Sequence, residues 1–187
     1  MNLHFDFLAP FFDAAGGHRD PGALARVLGL PCPGLLLDAG GGTGRVSQSL
    51  APLTGGVVVA DLSRPMARRA ARKPGLRAVA ASSFHLPFAG GTFDRALVVD
   101  AFHHFSDAEG ALRELLRVLR PGGRLVVEEP DHRRAVVRAI GRAERLLGMT
   151  SHMRPPGAWA GLLEEAGFQV RVVEDGRFAV WIVGERP

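Results

Sequence analysis

The residues best placed to do chemistry lie in one short run, Leu35-Leu36-Leu37-Asp38-Ala39-Gly40-Gly41-Gly42-Thr43-Gly44-Arg45. An apolar stretch with the character of a buried strand, 34–38, ends in a carboxylate and gives way to glycines at alternate positions. Residues 45–51 then read as the opening turns of a helix. Glycines at such a junction permit a sharp bend and let a ligand lie against the main chain. The N–H groups and positive dipole end of a helix start favour an anionic group such as a carboxylate. Asp38 narrows the choice. A carboxylate at the strand end repels a pyrophosphate but suits a ligand that carries an ammonium group beside its carboxylate. A nicotinamide dinucleotide is disfavoured for a second reason: counted from Gly40, the last position of Gly-x-Gly-x-x-Gly is Arg45.

A second acid strengthens this reading. The apolar run Val57-Val58-Val59-Ala60 ends in Asp61, 17 residues beyond Gly44, near where an acid that holds ribose hydroxyls is expected. Leu62-Ser63-Arg64-Pro65-Met66 follows. Taken alone, Asp61 reads equally well as a helix N-cap, and Ser63 is as good a cap. Further along stand Leu86-Pro87-Phe88, Thr92-Phe93-Asp94, His103-His104-Phe105 and Arg117-Val118-Leu119-Arg120-Pro121-Gly122-Gly123. In order and spacing these segments resemble the class I S-adenosylmethionine-dependent methyltransferases. The resemblance is to the small-molecule branch (type 11) that includes quinone-biosynthesis enzymes. It covers residues 5–130 well and the remainder only in general shape.

The resemblance implies S-adenosyl-L-methionine as cofactor and S-adenosyl-L-homocysteine as product. It implies methyl transfer to a small-molecule acceptor by direct displacement. Asp38, Gly40, Gly41, Gly42 and Gly44 would surround the methionine portion, and Asp61 would hold the ribose. Leu62 and Met66 would lie near the adenine, with Asp100 at the end of the fourth strand. Ser82 falls where relatives carry an aspartate for the adenine amino group. A hydroxyl can accept that bond, though more weakly than a carboxylate. Ser83 and Phe84 would supply a backbone donor and an apolar wall; the bland alternative is a polar loop with one buried Phe. Phe12-Asp13 falls where relatives have Tyr-Asp in an N-terminal lid, and Phe5, Phe7, Phe11 and Phe12 equally suit a core.

Displacement at a methyl group asks mainly for alignment, while acceptors with acidic protons also benefit from a general base. His103 and His104 follow the fourth strand and are the candidate catalytic residues; for His104 the competing role is packing and helix capping. Glu128, Glu129, Asp131 and His132 end the fifth strand and would face the acceptor, although Asp131 also suits a helix start. His152, Met153 and Trp159 lie in the region that shapes acceptor sites in this family. An Asn-Pro-Pro-aromatic motif, typical of amino-methylating nucleic-acid enzymes, is missing. The single cysteine, Cys32, argues against thiol-dependent arsenite methylation and against a thiolate metal site. No metal is expected.

These residues must be positioned by an alternation of strands and helices. Strands are expected at 34–38, 56–61, 76–81, 95–100, 124–129, 168–174 and 177–185. Helices are expected at 23–28, 45–51, 64–73, 107–119, 132–147 and 156–166. Strands separated by helices pair in parallel, whereas the two-residue connection Asp175-Gly176 demands an antiparallel hairpin. The expected fold is α/β: a Rossmann-like, doubly wound, mainly parallel seven-stranded sheet with helices on both faces. Its order, implied by the resemblance, is 3-2-1-4-5-7-6 with the last strand antiparallel.

With 187 residues, 47% of them hydrophobic and 22% charged, the chain reads as one domain, 1–187. No apolar stretch reaches membrane-spanning length and no secretory signal opens the chain, so a cytoplasmic location is expected. The net charge of +4 could suggest nucleic acid. Two arginine stripes at helical spacing, Arg64/Arg68/Arg72 and Arg134/Arg138/Arg142/Arg145, read first as solvated helix faces. Nucleic acid is therefore not the expected partner, and oligomeric state stays open. Two alternatives remain: a non-catalytic S-adenosylmethionine-binding subunit or regulator, and an RNA methyltransferase that would use the basic stripes.

Overall fold

The computed structural model describes residues 20–146, 152–174 and 179–187. The N-terminal aromatic segment Phe5–Asp13, the Asp175-Gly176 turn and the Arg145 side chain lie outside the described residues.

Helix α1, Pro21–Leu28, is capped by Asp20, whose carboxylate accepts from the Gly22 N–H at 2.9 Å. The sheet strands are β1 Cys32–Ala39, β2 Thr54–Asp61, β3 Leu76–Ala80, β4 Phe93–Val99, β5 Leu119–Pro130, β6 Gln169–Glu174 and β7 Ala179–Glu185. Between them run α2 Arg45–Leu50, α3 Arg64–Ala70, α4 Ala108–Val118, α5 Ala135–Leu146 and α6 Pro156–Glu165. The sheet order is β3-β2-β1-β4-β5-β7-β6. Strands β1 to β5 pair in parallel, and β7 runs antiparallel to both β5 and β6. The order and the antiparallel strand are those expected.

Period-2 alternation sorts the strand side chains into two cores, one on each face. Leu36, Val57, Val59, Leu97, Val126 and Val183 join Leu24, Leu28 and Leu50 on one side. Leu37, Ala96, Val98, Leu125, Val127 and Ile182 join Leu112, Leu115, Trp159 and Leu163 on the other. Central strands buried on both sides therefore read as unbroken apolar runs. Strand boundaries shift where pairing extends them. β5 begins at Leu119 rather than 124, because Leu119 pairs with Phe93 before a register shift brings Arg124 opposite Arg95.

Two of the sequence segments prove to be fastenings. Glu114 accepts from the Leu86 N–H at 2.8 Å, and Arg117 donates to the carbonyls of Phe88 at 2.8 Å and Leu86 at 3.1 Å. Helix α4 thus holds the Leu86-Pro87-Phe88 turn. Asp94 accepts from the Leu35 N–H at 2.8 Å, tying the start of β4 to β1.

Candidate active site

The strand order reverses between β1 and β4, since β1 continues through β2 to β3 and β4 through β5 to β7. In such sheets a crevice opens beyond the carboxyl ends at this point. Here it is bordered by the glycine loop after β1, the end of β2 and the turn after β4.

Asp38 ends β1 almost fully buried. Its Oδ2 accepts from the hydroxyl of Ser47, a buried residue on α2, so strand and helix are tied across the bend. Ser47 is a site residue that sequence reading missed. Its only signal is a hydroxyl on the inward face of a short amphipathic helix. The loop closes down on the carboxylate: a Cβ on Gly41 would stand 2.3 Å from Asp38 Oδ2. Gly42, at φ +58°, is the opposite case, because a Cβ there would meet nothing within 4 Å. Its backbone borders open space. Gly40 connects the two halves of the site. Its N–H donates to the Ala60 carbonyl of β2 at 2.7 Å, while its Cα faces Ala101 and the Phe105 ring in the turn after β4.

Asp61 resolves one of the open alternatives. The N-cap of α3 is Ser63, whose hydroxyl accepts from the Met66 N–H at 3.3 Å. Asp61 instead turns to the loop: Oδ2 accepts from the Gly42 N–H and Oδ1 from the Ser63 N–H, both at 2.8 Å. Its carboxylate is therefore held at the glycine loop. Leu62 beside it is 62% exposed, a large apolar side chain left bare at the crevice edge. Met66 is buried on the inner side of α3. Ser82, Ser83 and Phe84 are half-buried in the turn after β3, where Ser82 bridges to His85. Asp100 is exposed, with φ +55°, a left-handed conformation uncommon for a residue with a side chain. Its N–H donates to the Glu128 carbonyl at 2.9 Å, so the turn after β4 is anchored on β5.

That turn, Phe102–His104, carries both candidate histidines. His103 is buried, its Nδ1 lying 2.5 Å from Glu129 Oε2 at the end of β5. Glu129 Oε1 accepts from the N–H groups of Phe102 at 2.8 Å and His103 at 3.3 Å. His104 is half-buried, with its ring centroid 4.0 Å from that of His103. The His103 carbonyl accepts from the His152 N–H at 2.8 Å, and Trp159 packs on Phe102 with centroids 5.0 Å apart. The 152–159 region thus reaches the same turn.

The other acids of β5 are engaged elsewhere. Glu128 accepts from the Trp181 indole at 2.8 Å. Asp131 pairs with Arg133 at 2.9 Å, and the hydrogen bond from that guanidinium holds its carboxyl below the usual range. Asp131 therefore belongs to the α5 start rather than to a proton-handling group. His132 is half-buried beside it. Among the described residues no group of His, Cys, Asp and Glu is arranged to hold a metal ion. The described arginines of the two stripes, Arg64, Arg68, Arg72, Arg134, Arg138 and Arg142, are solvent-facing, and Arg138 donates to the carbonyls of His132 and Arg133.

The family described as a methyltransferase domain matches residues 37–127, from β1 to β5. Over β1 to β5 the chain is therefore similar to methyltransferase domains. The demethylmenaquinone methyltransferase of Thermus thermophilus is 45% identical over 104 residues, which cover 52% of this chain and 47% of that protein. The chain spans about half the length of the curated relatives it matches. In three dimensions the domain is similar to the putative methyltransferase that Haloferax volcanii pairs with the activator Trm112. The TM-score is 0.82 at 18% identity, covering 98% of this chain and 97% of that one. It is also similar to the geranyl diphosphate C-methyltransferase of Streptomyces coelicolor, with a TM-score of 0.75 at 16% identity, covering 89% and 76%. At these identities the structures speak for the fold alone.

Proposed function

We propose that this domain binds S-adenosyl-L-methionine at the glycine loop and transfers its methyl group to a small, apolar or aromatic acceptor of the quinol type. The observation that carries the reading is the orientation of Asp61. With Ser63 capping α3, the Asp61 carboxylate is held at Gly42, in position for ribose hydroxyls. Around it the residues fit such a cofactor. Asp38 places negative charge beneath the loop for an ammonium group, and Gly42 leaves its main chain open to a carboxylate. Gly40 and Gly44 shape the same bend. Leu62, the 82–84 turn with Ser82, Ser83 and Phe84, and Asp100 line the nucleoside end, and Met66 backs it from within α3.

The sulfonium, when bound, supplies an activated methyl group open to in-line attack. The protein's part is to hold the acceptor in line and take up its proton. His103 and His104 are the groups assigned to that step; the residues that bracket their turn, Ala101 and Phe105, lie against Gly40. The quinol reading draws on the demethylmenaquinone methyltransferase that the 37–127 core resembles. Among the described residues no helix is long and apolar enough to cross a membrane.

The test has two parts. Isothermal titration should detect S-adenosylhomocysteine and not NADH; equal binding of both overturns the cofactor assignment. Incubation with S-adenosylmethionine and reduced demethylmenaquinone should then yield a singly methylated product by mass spectrometry. Cofactor binding without methylation of this or smaller quinols would reassign the domain to a non-catalytic binding role.

A further inference from the structure

The geometry points to Glu129 as the positioning residue of the site: it fixes the tautomer of His103 so that Nε2 is the ring's proton-accepting nitrogen. This rests on the reading of His103 as the group that takes the acceptor's proton.

The argument begins with what Glu129 already accepts. Its carboxylate is buried at the end of β5. Oε1 receives two backbone N–H groups, those of Phe102 at 2.8 Å and His103 at 3.3 Å. Oε2 lies 2.5 Å from His103 Nδ1. A carboxylate in its ionised form offers only acceptors, and the proton between Oε2 and the ring is accordingly assigned to Nδ1. A neutral imidazole with its proton on Nδ1 carries its lone pair on Nε2, and the nitrogen that bears the proton is set by the hydrogen bond the other makes. The turn that carries the ring is held as well: the His103 backbone carbonyl accepts from the His152 N–H at 2.8 Å, and the ring lies beside that of His104 with centroids 4.0 Å apart.

During transfer, an acceptor O–H or C–H bond breaks and its electron pair stays on the acceptor, which bonds to the methyl carbon as the S–CH3 bond breaks and its pair stays on the departing thioether sulfur. The proton forms an Nε2–H bond. The resulting imidazolium keeps its Nδ1–H on Glu129, whose negative charge stabilises it without taking the proton.

A Glu129→Gln variant separates this role from simple cross-linking. The glutamine oxygen must face the two backbone donors, since an amide NH2 there would meet N–H against N–H. Its NH2 is then turned toward Nδ1 and the ring is forced into the opposite, Nε2–H tautomer. Isotope-labelled histidine and nitrogen-correlated NMR at pH 8 would read the tautomer directly, with His103 assigned by loss of its signals in His103→Asn. The wild type should show His103 as the Nδ1–H form, and E129Q should show the shift to Nε2–H. S-adenosylhomocysteine affinity should stay within about twofold, while methylation of the quinol acceptor slows about 100-fold. A wild-type ring that is Nε2–H or doubly protonated overturns the proposal, as does an unchanged tautomer in E129Q. Failure of the wild type to bind S-adenosylhomocysteine would sink the functional reading instead, leaving the tautomer result standing.

Discussion

The two sides of the crevice are built differently. On the cofactor side, the contacts are local in sequence or run between adjacent strands. Asp38 meets Ser47 nine residues on, and Asp61 meets Gly42 nineteen residues back. On the acceptor side, the His103–Glu129 pair spans 26 residues and joins the ends of two strands with a whole helix between them. The first side is a bend dictated by residue type, in which glycine is required by contact distances. The second is a buried polar pair whose existence depends on the sheet register. A motif can specify the first. Only the assembled sheet specifies the second.

The harshest way to break this contrast is at the bend. Gly41→Val places a branched side chain where even a Cβ would stand 2.3 Å from the Asp38 carboxylate. Either the loop or the Asp38–Ser47 tie must move, and overpacking of this kind costs about 1–3 kcal/mol. Calorimetry should show S-adenosylhomocysteine affinity reduced roughly 100-fold or more, at the steep end of that range. Gly42→Ala is the control for stability, because its Cβ direction is open and only the positive φ is penalised. If urea unfolding shows Gly41→Val to be no less stable than Gly42→Ala, the loop is not pressed against Asp38 as described.

Asp61→Ala comes next in size. It removes a charged acceptor facing the loop, a loss worth about 1.5–3 kcal/mol where a charged hydrogen bond is involved. The expected weakening is roughly tenfold to a hundredfold in S-adenosylhomocysteine affinity, with the far-ultraviolet circular dichroism unchanged. Unaltered affinity would strip Asp61 of the ribose role and leave it as a brace for Gly42.

How much of this was legible beforehand follows the same divide. The glycine loop and the antiparallel last strand could be read from Asp38–Gly44, the apolar runs and Asp175-Gly176, because each rests on short-range rules, whereas the sheet order came only with the family resemblance. Asp61 was legible as an acid but not as a choice between cap and ligand. Ser63, two residues away, takes the cap, which removes that alternative and leaves the ribose role as the proposal. Ser47 was invisible, since nothing in a serine on a helix says which carboxylate it will face. Glu129 and His103 were each visible as candidates, yet their pairing was not, because it requires knowing that β4 and β5 are neighbours in register. The early start of β5 escaped for a related reason: Pro121-Gly122-Gly123 reads as a turn until Leu119 is seen paired with Phe93.

Ser63→Ala sharpens the contrast from the other direction, by testing whether the cofactor side has a structural fastening independent of binding. Removing a hydroxyl N-cap costs about 1 kcal/mol of stability. Urea unfolding should show that loss with S-adenosylhomocysteine affinity changed by less than about threefold. If affinity collapses while stability holds, Ser63 and not Asp61 is the group that meets the ligand.

The smallest expected effect is electrostatic, and each side of the crevice supplies one carboxylate for it. Hydrogen bonding from Arg117 holds the Glu114 carboxyl below its ordinary 4.5, where it anchors the Leu86-Pro87-Phe88 turn. Hydrogen bonding from Arg133 holds Asp131 below its ordinary 3.8, at the end of β5. A carboxyl whose folded value is depressed stabilises the fold above its unfolded value, and that contribution is lost as pH falls through the folded one. Stability should therefore be flat from neutral pH down to about 5 in these two groups, then decline progressively below their unfolded values. For Glu114, solvent screening keeps the contribution under about 1 kcal/mol. Glu114→Gln should lower stability slightly at pH 7 and flatten the acid limb, as should Asp131→Asn. If only Glu114→Gln flattens it, the β5 end is held by packing and by the Glu129 pair, and the salt bridge at Asp131 is a surface contact without consequence for the acceptor side.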